Sequence, residues 1–100
     1  MILEIVDIRI HPGQQAAFDT AVELGIEQCI SKAAGYIEHR INKCIETPER
    51  YVLLIYWKTL ESHTVDFRES PAFLEWRKIV GPFFASAPHV EHFTLLTKTV

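Results

Sequence analysis

The spacing of apolar residues predicts an α+β fold of βαββαβ order, an antiparallel sheet with both helices on one face. Three observations predict it. Four segments read as strands, the first and third intervals between them carry helical spacing, and the third strand is apolar on both of its faces.

Residues 2–10 set Ile2, Glu4, Val6, Ile8 and Ile10 on one side and Leu3, Ile5, Asp7 and Arg9 on the other, so the even side is the more apolar. His11-Pro12-Gly13 breaks that pattern and Gln14-Gln15-Ala16-Ala17 starts a helix. Phe18, Ala21, Val22, Gly25, Ile26, Cys29 and Ala33 then fall on one helical arc, with Gly25 suited to a close approach of helix to sheet. Ala34-Gly35 supplies a stop, and residues 36–44 form a strand with Ile37, His39 and Ile41 on one face. After a polar, Pro-containing turn, residues 51–57 are the β-branched and aromatic central strand.

The second helical region divides in two. Thr59 caps the first piece, which runs through Phe67, while Ser70-Pro71 opens the second, with Phe73, Trp76, Arg77 and Val80 at helical spacing before Gly81-Pro82. Residues 89–97 alternate again as the fourth strand. The whole is the ferredoxin-like arrangement, expected as a single domain over residues 1–100. Helices cover only one face of the central strand, so self-association into a homodimer is expected to cover the other.

Forty-eight per cent hydrophobic and 23% charged residues suffice for a core. A net charge of -3 without a basic run argues against nucleic acid as a partner. Glu4 and Asp7 interrupt any signal-peptide pattern, and no segment approaches the roughly 20 apolar residues that span a bilayer. A cytoplasmic protein without a membrane partner is expected, with Cys29 and Cys44 as reduced thiols and Cys29 in the core.

His11-Pro12-Gly13-Gln14 after the first strand, Gly35-Tyr36 before the second, residues 56–63 leaving the third, and residues 67–73 with Ser70-x-x-Phe73 occur in an order and spacing covering nearly the whole chain. In these motifs the sequence resembles the antibiotic biosynthesis monooxygenase (ABM) family. The resemblance implies a dimeric α+β barrel, with a small-molecule cavity between the sheet and the helices of each subunit. It also implies a monooxygenase that needs no metal or flavin, in which the anion of a quinol-like aromatic substrate reacts with dioxygen. A non-catalytic, dimeric small-molecule-binding or stress-related module is the alternative. In the haem-degrading branch an Asn, a Trp and a His form the site; Val6, Phe67 and Arg77 stand at or near those positions, and Arg77 cannot serve as a neutral nitrogen ligand to iron.

His63, in the helical region after Trp57, is the candidate general base, with Asp66 three residues on to orient it; the plainer alternatives are a helix-surface or capping histidine and a solvated carboxylate. His39 and His92 are expected to face the cavity across the sheet, and Trp57, Phe67, Trp76 and Phe83 to form aromatic walls, unless these residues simply pack. His89 and His92 lie on opposite faces of a strand and cannot share a metal, and no helical HExxH or paired-Cys set occurs. Neither a metal nor a phosphorylated cofactor is expected, since no GxGxxG or P-loop is present and Arg40, Arg68 and Arg77 stand apart in the sequence.

Overall fold

The computed structural model describes residues 1–99. Strands β1 (Ile2–Arg9), β2 (Tyr36–Lys43), β3 (Arg50–Trp57) and β4 (His89–Thr94) form one antiparallel sheet in the order β2-β3-β1-β4. Helices α1 (Gln15–Gln28) and α2 (Pro71–Val80) pack on one face, giving the ferredoxin-like α+β fold. Among the described residues no helix is long and apolar enough to cross a membrane.

Alternation decides the faces. Glu4, Val6 and Ile8 of β1 and Tyr51, Leu53, Ile55 and Trp57 of β3 turn toward the helices and are buried. They meet Phe18, Val22 and Ile26 of α1 and Trp76 and Val80 of α2. The Tyr51 hydroxyl donates to Asp19, which also accepts from Lys43 at 2.7 Å, tying the start of α1 to the end of the sheet. Leu3, Ile5, Val52, Leu54 and Tyr56 occupy the opposite face, against which neither helix packs; Leu95, Leu96 and Lys98 border a hollow there beside Leu3 and Tyr56.

Three expectations need correction. Helix α1 ends at Gln28 and a tighter turn over Ile30–Lys32 follows, so Ala33 is extended and Ala34-Gly35 leads into β2 instead of stopping the helix. Strand β4 stops at Thr94, because Thr94 pairs with Ile2 and β1 offers no partner to the next residues. Gly25 does mark a close approach, but to α2 and not the sheet: a Cβ there would lie 2.8 Å from the Trp76 ring.

Candidate active site

Three elements bring the site together. Glu4 sits on the inward face of central strand β1, paired across the ladder with Ile55 on one side and His92 on the other. Trp57 ends β3 opposite Ile2 and is fully buried. Beyond it, Thr59 accepts the Ser62 backbone N–H at 3.1 Å and starts a π-helical turn over Ser62–Phe67, closed by the Arg68 N–H donating to the His63 carbonyl at 3.0 Å. Gly35 lets this turn press against the sheet, since a Cβ there would collide with the Ser62 side chain.

The turn drives His63 inward to 4% exposure. Its Nε2 lies 3.3 Å from Glu4 Oε2 and its Nδ1 lies 2.8 Å from His92 Nε2. Trp57 Nε1–H donates to the other oxygen of Glu4 at 2.9 Å, and the indole and the His63 ring stack at 5.3 Å between centroids. Phe67, four residues along, lies 6.2 Å from the His63 ring and 5.7 Å from the Trp57 indole, so the three rings form one cluster.

Burial favours the neutral form of both groups. It pushes the Glu4 carboxyl up to about 7, against the lowering effects of the Trp57 hydrogen bond and the Arg68 charge. Burial also pushes His63 down to about 4, helped by the Arg68 charge and by the charge His92 carries when protonated. Although the two groups lie at ion-pair distance, burial favours an uncharged carboxyl beside an uncharged imidazole. In that state a Glu4 O–H would face His63 Nε2 as donor, and the imidazole would carry its proton on Nδ1, toward His92 Nε2. Contacts run continuously from Trp57 through Glu4 and His63 to His92; the indole N–H only donates, and a proton can pass among Glu4, His63 and His92 by tautomer exchange.

A cavity of about 740 Å³ opens between the sheet and α2, within the range of small-molecule sites. Glu4 and His63 border it, with Val6, Ile55, Phe67, Phe73 and Trp76 as apolar wall and Arg68 and Arg77 among its polar groups. Of the residues anticipated from sequence, His63, Phe67 and Trp76 border this space directly. Trp57 lies behind Glu4, and His92 touches the site through His63.

The remaining three are not brought to the cavity. Asp66 is exposed and makes no hydrogen bond or ion pair among the described residues, because the wide turn stacks Phe67 under His63 instead. His39 does share the inward face, but on edge strand β2, where it is exposed and bonded to the Tyr36 hydroxyl. Phe83 packs edge-on against Phe18, 5.5 Å between centroids, as part of the core. Glu4 is not among the residues anticipated from sequence, although it stands as a lone carboxylate among Ile2, Val6, Ile8 and Ile10 on that strand face. Arg68 and Arg77, which stand apart in the sequence, meet at one cavity.

Fold and site define a ferredoxin-like α+β protein with a ligand-sized cavity at a buried carboxyl–imidazole pair. The family model for antibiotic biosynthesis monooxygenase matches residues 1–79, and the chain belongs to that family. The uncharacterized protein YczJ of Bacillus subtilis (strain 168) is 38% identical over 93 residues, covering 93% of this chain and 97% of that protein. A Bordetella bronchiseptica structure with the provisional name antibiotic biosynthesis monooxygenase is also 38% identical, with a TM-score of 0.90 over 96% of this chain and 97% of that one. SnoaB, a cofactor-independent oxygenase from Streptomyces nogalater, shares the fold at a TM-score of 0.82 and 14% identity, over 97% of this chain and 94% of that one.

Proposed function

We propose that this protein is a cofactor-independent monooxygenase acting on a small, quinol-like aromatic molecule bound between sheet and helices. The observation that carries the reading is the buried Glu4–His63 pair bordering an aromatic-walled cavity. A carboxyl held near neutrality beside a neutral imidazole suits general-base work, because its proton is easily lost and regained at ordinary pH.

In the proposed reaction the deprotonated pair takes a proton from an acidic ring methylene or phenol of the substrate. The resulting carbanion passes one electron to dioxygen, and the radical pair combines to form a C–O bond. Loss of water from the peroxide leaves a carbonyl, so a CH2 and O2 become C=O and H2O. One oxygen atom enters the product and the other leaves as water, with all four electrons supplied by the substrate. Trp57 holds Glu4 in place, and His92 gives His63 an outlet for the proton. The test is dioxygen uptake with a tricyclic phenol bearing such a methylene. Uptake lost in His63→Ala and Glu4→Gln, with folding retained, supports the reading; unchanged uptake in both variants overturns it. Binding without uptake favours a non-catalytic binding module.

The same reading includes a homodimer across the sheet face opposite the helices, where Leu3, Ile5, Leu54, Tyr56 and Phe93 form an apolar surface that no described helix covers. Cytoplasmic residence belongs with it, supported by two free cysteines that a reducing compartment keeps as thiols.

A further inference from the structure

Two guanidinium groups border the cavity, and among the described residues no carboxylate lies within ion-pair distance of either. Arg68 follows the π-helical turn and Arg77 lies in the last turn of α2. Among the described residues neither forms an ion pair, whereas Arg9 and Arg50 both engage Asp7. Arg77 is instead aligned by Phe73, its guanidinium 5.9 Å from the ring centroid. The one acidic side chain among the described lining residues is Glu4, which burial biases toward its neutral form. The cavity thus combines apolar aromatic walls with uncompensated positive charge and free planar donor forks.

We propose that the cavity selects aromatic molecules bearing a carboxylate, with Arg68 and Arg77 binding the anionic group and Phe67, Phe73 and Trp76 holding the ring. The assignment rests on the cavity being the ligand site proposed above, and names the class of ligand it takes. Guanidinium forks match carboxylate geometry and form charge-assisted hydrogen bonds, and low-dielectric walls focus their field on the entering anion. A neutral analogue with the same ring would leave both donors to water. Ligand binding also reaches the proton chain. Burial and, after it, the Arg68 charge hold His63 and His92 below their ordinary range; a carboxylate at Arg68 offsets the second of these, so the bound acid makes His63 a stronger base.

The experiment compares naphthoate with naphthalenemethanol, an anion and a neutral molecule built on one ring system, by calorimetric titration of the full chain. Chemical-shift changes at the Trp76 indole locate each probe. Naphthoate is expected to bind about tenfold tighter or better, the effect of one charge-assisted contact. Arg68→Gln and Arg77→Gln should each remove most of that preference while leaving naphthalenemethanol affinity unchanged; both side chains are exposed, so the fold is retained. Equal affinity for the two probes, or a preference that survives both substitutions, overturns the assignment while leaving the cavity reading intact. If neither probe shifts Trp76, the cavity reading falls and the assignment with it.

Discussion

The Glu4 carboxyl and the His63 imidazole meet at 3.3 Å in the gap between sheet and π-helical turn, with side chains only 5% and 4% exposed. Surface pairs at that separation are usually ionic. Here both charged forms are penalised by desolvation, so burial favours an uncharged acid beside an uncharged base with one proton to share.

Stability should therefore respond to pH in a way that single substitutions separate. In the fold Glu4 holds its proton more tightly than in the unfolded chain, between 4.5 and about 7, so its own contribution falls as pH rises through that window. His63 holds its proton less tightly between about 4 and 6.5, so its contribution rises with pH. In the wild type the two slopes oppose each other where the windows overlap. Glu4→Gln should leave a stability that climbs across the His63 window, and His63→Gln one that declines through the Glu4 window. Denaturant midpoints measured across both windows check this; parallel profiles in the two variants would refute the shared proton.

Turnover should follow loss of that proton. Dioxygen uptake is expected to rise with pH through about 7, where Glu4 titrates, and His63→Ala should lower it by roughly 10²–10⁴-fold, as for removal of a general base. A profile with no inflection near neutrality would remove the pair from the chemistry.

Gly25→Ala opposes two effects. Alanine gains about 1 kcal/mol of helix propensity, but its methyl would enter the space of the Trp76 ring at 2.8 Å, and such overpacking costs typically 1–3 kcal/mol. The expected outcome is net destabilisation of about 1 kcal/mol, together with a narrower cavity, because Trp76 also lines that space. Relative to Trp76→Leu alone, adding Gly25→Ala should cost nothing or stabilise. Thermal unfolding of the two single variants and the double variant measures the coupling.

Assembly can be checked by sedimentation, which should give about twice the chain mass of 11.5 kDa. Leu54→Asp, in the middle of the open sheet face, should shift the protein toward monomer with little change in the cavity on the other side. A wild-type monomer would remove the dimer from the proposed function.

Much of the fold was legible because alternation and helical spacing are local properties. The strand and helix order, the two-piece second helical region and the Pro71 helix start all follow from neighbouring residues. The site was only partly legible, because its contacts join residues 59 and 29 positions apart: Glu4 with His63, and His63 with His92. Asp66 looked like a partner because three residues make a near-neighbour on an α-helix, a rule that the wider turn does not obey. Gly25 announced a close contact without saying with what, since the crossing of α1 and α2 is set by packing beyond either helix. Glu4 left a readable trace, a carboxylate on an otherwise apolar strand face, and that trace has meaning only once its partners are found across the fold.

The π-helical turn makes the site sensitive to chain length as well as to side-chain identity. Its carbonyl-to-amide step from His63 to Arg68 spans five residues where an ordinary helix uses four. Deleting exposed Val65 would let the segment relax to the narrower winding, in which each residue turns the chain by about 100°. Every side chain of the proton chain would remain in the polypeptide, yet His63 and Phe67 would lose their common facing. A relative lacking one residue here would keep the ingredients of the site and lose its geometry.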